Sequence, residues 1–435
     1  MAQWSMSALS NKTVLFADIG GDYVHIAEAV VDDYAEVLYW TPSDASFRRA
    51  RDLLPGIGLS GVERIDDLFD HLDRCDLLVF PDVGYAGLQN YLRKQGMPVF
   101  GSGDADRLER DRGFLKEVCR QLDIQTANGL GVHGIDNLRR MLQTDSSLYV
   151  KLSWFRGDGE TFEHQGPVLS RSILDELSLK LGPYGSLAEF VVEEPIADDE
   201  GECVEIGFDT FCADGNFPEV SLWGYEVKDS AFVASTAYLS PRLRRTQDKL
   251  RPALKALDYR GAFSTETREN GAGTFFIDAT CRFGSPPSEL QSKMIANLGE
   301  ILWGYANGEV VEPEFRARYG AQIILRSSTF EERPIAVQID RLDRTAIHGH
   351  CNIDGVDWAV SMSEIPELGA ALGLGDTMEE AVAEAEEVAK SVKGTGISYD
   401  SGALTKALKT VSEGESLGIR WSNFAGEEEE NHAES

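Results

Sequence analysis

"YRGAFSTETRENGAGTFFIDATCRFGSPP", residues Tyr259 to Pro287, starts as an extended run and passes a loop at Glu269, Asn270, Gly271, Ala272 and Gly273. It turns apolar again from Thr274 to Ile277. Two such runs around a short glycine-bearing loop predict a β-hairpin. Glu266 and Asp278 stand on its two strands, so the hairpin brings both carboxylates to one spot. Adjacent carboxylates repel unless a cation sits between them. Magnesium prefers oxygen ligands and usually takes one or two carboxylates plus substrate phosphates. Arg282, four residues beyond Asp278, would add a fixed positive fork for a transferring phosphoryl group or an oxyanion. The blander alternative leaves Glu266 in solvent and pairs Asp278 with Arg282; for this stretch the functional reading is preferred.

Around the hairpin, the 435 residues are too many for one ordinary core. With 42% hydrophobic and 26% charged residues the composition is that of a globular protein. No apolar run is long enough to span a bilayer, and "MAQWSMSALSNKT" lacks the pattern of a secretory signal. The six cysteines are scattered without a CxxC pair, which suits reduced, mostly buried thiols in a cytoplasmic chain. A net charge of −32 argues against bare nucleic acid or an anionic membrane as a partner.

Alternating strands and helices ("TVLFADIG", "AEVLYW", "DLLVFPD", "GLQNYLRKQG", "PVFG") predict a parallel α/β domain over residues 1–104. A mixed domain follows over 105–311. It opens with the amphipathic helix "DADRLERDRGFLKEVCRQLDI", and "PSELQSKMIANLGEILWGYANG" is expected to be another helix. A smaller mixed domain covers 312–424. Its helix begins with a capping box at Thr377 and Glu380 and is expected to end at Gly394. Residues 425–435, "AGEEEENHAES", read as a disordered acidic tail.

Two further features belong with the hairpin. Arg112 lies on the amphipathic helix, and Lys151 sits inside the strand "SLYVKLSW", where a phosphate would give a lysine a reason to be. The strand end "VVEEPI" places Glu193, Glu194, Pro195 and Ile196 at a sheet edge, with Glu205 on the next strand. Backbone groups at such an edge can hold an adenine, and a carboxylate can hold ribose hydroxyls. Taken singly, Lys151 is better explained as a solvated lysine and "VVEEPI" as a polar strand end.

Together, in this order, these motifs resemble the ATP-grasp superfamily. Its hairpin carries an acid on one strand and E-x-N-x-R on the next; here the matching residues are Glu266, Asp278, Thr280 and Arg282. The hairpin spacing is similar to that of biotin carboxylase, and "RFGSPP" resembles the "RFGDPE" of phosphoribosylamine–glycine ligase. The likeness to the latter family covers almost the whole chain, including "GMPVFGSGDADRLERDRGFLKEVCRQLDI" and "GDTMEEAVAEAEEVAKSVKGTGISYD". The resemblance implies that ATP activates a carboxylate as an acyl phosphate, which an amine attacks to give an amide, ADP and phosphate. It implies phosphate contacts from Arg112 (normally a lysine), Lys151 and Arg282. It assigns adenine to Glu193–Ile196, ribose to Glu205, and Mg2+ to Glu266, Asp278 and Thr280.

The departures are specific. Thr280 replaces the asparagine, and Asp278 is one methylene shorter than glutamate. The loop after Lys151, "LSWFRGDGETFEH", offers only Gly157 and Gly159 to cover phosphates, with Arg156 as a possible substitute. The acceptor segments are replaced by "DIGGDYVHIAE", "FPDVGYAG" and "AFVASTAYLSP". These changes point to a different carboxylate–amine pair. The alternative is a nucleotide-binding homologue that has lost turnover. His348, His350 and Cys351 could suggest zinc, but a polar strand is the simpler reading. "DIGGDY" lacks the third glycine of a dinucleotide turn.

Overall fold

The computed structural model describes residues 9–42, 53–154, 160–196, 203–330, 333–361 and 366–424. The acidic tail and the loop residues Arg156, Gly157 and Gly159 lie outside them. The N-terminal apolar runs form strands β1 (Thr13–Ala17), β2 (Glu36–Trp40), β3 (Val62–Arg64), β4 (Leu77–Val79) and β5 (Val99–Phe100). They pair in parallel in the order β3-β2-β1-β4-β5. Val14 and Phe16 pack to one side and Leu15 and Ala17 to the other, as a strand buried on both faces requires. Helix α1 (Val24–Glu28) covers the first side and α2 (Ala86–Lys94) the second. This is the expected parallel α/β unit.

The next segment is not one helix. It breaks into α3 (Arg107–Arg110) and α4 (Arg112–Gln121) at Asp111, whose backbone is extended and whose carboxylate accepts the Phe114 N–H at 2.9 Å. An N-cap interrupts the periodic pattern and makes Arg112 the first helical residue. Beyond it, β6 (Gly129–His133), β7 (Leu148–Leu152), β8 (Thr161–His164) and β9 (Glu189–Glu193) form a small antiparallel sheet, β6-β9-β7-β8. Helices α5 (Ile135–Met141) and α6 (Arg171–Leu181) back it through Leu138, Leu174 and Leu177.

The largest sheet begins with β10 (Val204–Ala213), β11 (Leu222–Val227) and β12 (Ala231–Ser235), and continues after α7 (Pro241–Ala256) with the hairpin β13 (Arg260–Asn270) and β14 (Gly273–Thr280). The second expected long helix also divides, into α8 (Ser288–Met294) and α9 (Leu298–Ala306). Between them the chain is drawn into pairing, the Ala296 N–H donating to the Glu314 carbonyl at 2.7 Å.

Past residue 312 the chain adds β15 (Tyr319–Ser327), β16 (Ile335–Gln338), β17 (Thr345–Ile347), β18 (His350–Ile353), β19 (Val356–Ala359), β20 (Glu367–Gly375), α10 (Met378–Ser391), β21 (Lys393–Gly394), β22 (Ile397–Ser398) and α11 (Ala403–Ser416). β15 pairs with β12, so one nine-stranded sheet runs β14-β13-β10-β11-β12-β15-β20-β17, with β22 also on β15. A four-stranded sheet, β18-β19-β16-β21, stands beside it. α10 packs Ala381, Ala385 and Val388 on the same core as β15 and β20. Gly394 does not end α10. The helix stops at Ser391 and Gly394 pairs with Val337 instead. All six cysteines are free thiols. Among the described residues no helix is long and apolar enough to cross a membrane.

The capping box is formed: Thr377 Oγ1 accepts the Glu380 N–H at 3.2 Å, and Glu380 accepts the Thr377 N–H at 3.2 Å. Thr377→Ala should lower unfolding stability by about 1 kcal/mol, measured by urea denaturation. An unchanged midpoint would mean the box is decorative.

Candidate functional site

Register makes Glu266 and Asp278 direct cross-strand partners, with Ser264 opposite Thr280. On β10, Gly207 lies opposite Glu266 and Asp209 opposite Ser264. Alternate residues of a strand share a face. Glu205, Asp209, Ser264, Glu266, Asp278 and Thr280 therefore look out from one side of the large sheet. A cavity of about 30 Å³ is lined there by Glu205, Asp209, Glu226, Glu266 and Thr280. Burial, and the charges of Glu205, Asp278 and Glu226, push the Glu266 carboxyl well up. Loss of water in the cleft and the Glu205 charge push Glu226 up to about 7, although the residue as a whole stays exposed, and burial pushes Asp209 up to about 7.

Cations meet these acids from the small sheet and from α4. Arg112 Nη1 donates to both oxygens of Asp278 at 2.5 Å, and Nη2 reaches Glu160 at 3.3 Å. Burial works against the Arg112 charge, but Asp278 and Glu160 raise its pKa on balance. Lys151, only 8% exposed along its side chain, donates to the Ile277 carbonyl at 2.9 Å and lies 3.9 Å from Asp278. The structure thus brings Arg112, Lys151, Glu266, Asp278 and Thr280 to one place, between the two sheets.

Glu193 is placed differently from an adenine contact. Its side chain is buried between Lys151, at 3.5 Å, and Lys116, with which it forms a close ion pair. Glu194 and Pro195 are exposed, and the Glu194 N–H donates to the Asn128 carbonyl at 2.8 Å. Glu205 pairs with Arg268 at 3.0 Å. Lys116, Glu160, Asp209 and Glu226 escaped the sequence reading. Lys116 could have been found four residues after Arg112 on α4, and Asp209 four residues after Glu205 on a strand, where both spacings return to one face.

Arg282 does not meet Asp278. It is clasped by Glu109 at 2.9 Å, Asp82 at 3.4 Å and the Tyr23 hydroxyl at 2.8 Å, so the end of β14 is bolted to the N-terminal unit. Tyr23 follows the turn Gly20–Gly21, where Gly21 has φ +76° and needs to be glycine. Asp18 fastens that turn, accepting from the Gly21 N–H at 2.9 Å and from Tyr23 N–H and Tyr39 O–H at 2.7 Å. Burial and Asp22 push Asp18 up to about 7.

A parallel N-terminal unit, a small sheet facing a large antiparallel one and a carboxylate-bearing hairpin between them define the ATP-grasp fold. Solved structures share it across nearly their whole length. Phosphoribosylamine–glycine ligase from Thermotoga maritima matches with a TM-score of 0.64 at 18% identity, over 89% of this chain and 98% of its own. Biotin carboxylase from Campylobacter jejuni, solved as a β,γ-ATP complex, gives 0.60 at 13%, over 91% and 98%. N5-carboxyaminoimidazole synthetase from Staphylococcus aureus gives 0.57 at 13%, over 89% and 99%. No family model and no curated protein matches the sequence, so the likeness is one of fold.

The histidines of "IHGHCN" are held apart. His348 Nε2 meets Glu289 at 2.7 Å, while His350 lies between Glu28 at 2.9 Å and Asp357 at 3.2 Å. Among the described residues no group of three or more His, Cys, Asp or Glu is arranged to hold a metal. Burial works against the His348 charge, yet the bond to Glu289 lifts it to about 9. Burial likewise opposes the Glu289 charge, yet His348 holds it at about 2. The raised histidine stabilises the fold fully below its ordinary 6.5, and this is lost as pH rises through about 9. The depressed glutamate stabilises it above its ordinary 4.5, and this is lost as pH falls through about 2. Glu289→Gln should therefore cost about 3 kcal/mol near neutral pH and abolish the fall in stability between 6.5 and 9, read from urea unfolding across pH. A variant that kept that slope would refute the pairing.

Proposed function

We propose that the chain is an ATP-dependent ligase that joins a carboxylate to an amine. The observation that carries this reading is the cross-strand pair Glu266 and Asp278, met by Lys151 from the small sheet and by Arg112 from the start of α4. Glu266 lies among Glu205, Glu226 and Asp278, and its raised pKa marks a place short of positive charge. Two carboxylates suit Mg2+, whose other ligands are commonly phosphates and water. Glu266 and Asp278 would hold it, with Thr280 alongside, and the bound ion would supply charge neutralisation for the phosphates of ATP.

In this reading Lys151 and Arg112 exchange their carboxylate partners for phosphoryl oxygens. The chain's part is then positioning and charge stabilisation rather than a nucleophile of its own. A carboxylate oxygen of the substrate attacks the γ-phosphorus and ADP leaves. The amine nitrogen then attacks the acyl carbon, phosphate departs, and the nitrogen gives up a proton. Glu194–Ile196 would border the adenine and Glu205 the ribose, while Glu193 orders Lys116 and Lys151. Arg282, fixed by Glu109 and Asp82, would stand at the acceptor side as an oriented cation. The acceptor differs from phosphoribosylamine, because acidic residues (Asp18, Asp22, Asp82) furnish the N-terminal turns where a phosphate-bearing amine would need cations.

One observation favours a second reading, a nucleotide-binding relative without turnover: the guanidinium of Arg112 already closes on both oxygens of Asp278. The deciding experiment measures ADP release from Mg·ATP over a panel of carboxylates and amines, beside nucleotide binding by calorimetry. The ligase reading expects ADP to depend on one pair of substrates. Asp278→Asn should slow that release by about a hundredfold, with the fold intact by circular dichroism. Tight Mg·ATP binding with no ADP from any pair would favour the second reading, and an undiminished rate in the variant would sink the metal assignment.

A further inference from the structure

On the far face of the large sheet lies a groove of about 550 Å³ between α7, the end of α4 and the β13–β14 turn. Its size falls within the roughly 300–1,000 Å³ of small-molecule sites. Its charge is out of character with the rest of the chain. Across the protein 73 acids outnumber 41 bases. Yet α7, "PRLRRTQDKLRPALKA", carries six bases and one acid. Three of the bases, Arg242, Arg245 and Lys249, recur at i, i+3 and i+7 and line the groove, while Leu243, Leu250 and Leu254 bury an adjoining side of the helix.

The three cations are prepared to different degrees. Arg242 is held rigidly by Glu269 at 2.8 Å, the Thr274 hydroxyl at 3.2 Å and the Asn270 carbonyl at 2.6 Å. Lys249 donates to the Asp123 backbone carbonyl and lies 3.3 Å from the Asp123 carboxylate, which is fully exposed, so water screens that ion pair. Arg245 is exposed, and no ion pair or hydrogen bond engages it among the described residues. Gln125 and the first residues of β14 form the opposite wall. Arg245 and Lys249 stand about 6 Å apart along the helix axis. That spacing suits two anionic groups on one small molecule better than a single ion.

We propose that this groove binds a small polyanion bearing at least two phosphate or carboxylate groups. It is separate from the candidate nucleotide site. α7 reaches the sheet through Gln247, which donates to the Thr265 hydroxyl at 2.9 Å, and Thr265 points to the opposite face from Glu266. The proposal stands whether or not the chain turns over ATP.

The test is titration calorimetry of the full chain at low salt with sodium pyrophosphate and, separately, sodium citrate. Saturable binding of at least one probe is expected, weakened at least about tenfold in the exposed-site variant Arg245→Ala/Lys249→Ala. The control Arg171→Ala/Lys180→Ala removes the same charge from α6 and should bind as the parent does. Binding of pyrophosphate alone assigns a phosphate ligand, and binding of citrate alone a carboxylate one. No saturable binding, or equal loss in both double variants, overturns the proposal. So does undiminished binding in the α7 variant.

Discussion

The ion pair between Arg112 and Asp278 is the contact on which the rest of the molecule turns. Arg112 begins a helix that exists in that place because Asp111 caps it. Asp278 stands where a hairpin bulges, between Glu266 and Thr267 on the partner strand. Lys151 comes from a third element, the small sheet, and is shared with Glu193. Removing these ions from water costs several kcal/mol each, so no two of them would be stable there alone. Linked in a chain, each carboxylate finds a cation and each cation finds a second acceptor. A device of this kind exchanges partners readily, because a phosphate can replace a carboxylate against a guanidinium or an ammonium without stranding a charge.

Scarcity sharpens the point. In so acidic a chain, a buried base marks a position that competition among acids has not emptied. The hairpin face shows the other side of that balance. Asp209, Glu226 and Glu266 line one cleft with raised pKa values, set first by loss of water around them and, for Glu226 and Glu266, by neighbouring carboxylates, while the nearby bases are paired with Asp278, Glu193 and Glu205.

The hairpin and its paired acids were legible in the sequence because a strand has a period of two and a short loop fixes register. The parallel N-terminal sheet was legible for a related reason: β4 and β5 are wholly apolar and β1 and β2 nearly so, as burial on both faces demands, whereas the edge strand β3, with Glu63 and Arg64 in its three residues, gave no such run. What escaped depends on partners far along the chain. Nothing near Arg282 announces that Glu109, Asp82 and Tyr23 will claim it, since Glu109 lies far back along the chain and the other two arrive from the N-terminal unit. Glu193 looked like a strand end facing a ligand, and only the placement of Lys116 on α4 shows it to be buried support. The break at Asp111 was missed because the apolar spacing continues across it, although an aspartate followed by a helical run is also a cap. Gly394 misled for the opposite reason: a glycine past a helix is usually its terminator, and here a neighbouring strand captured it first.

The unbroken pairing of β12 with β15 has a consequence for how such a chain can change. The portion beyond residue 312 is an extension of the sheet that carries the hairpin, joined through a full backbone ladder from Ala231 to Ser235. Cutting there would bare a row of unpaired amides and carbonyls along a strand whose side chains are all buried, a surface inviting self-association. The two portions therefore stand as one sheet. Variation is accommodated more readily in the turns and loops around this sheet than across that ladder.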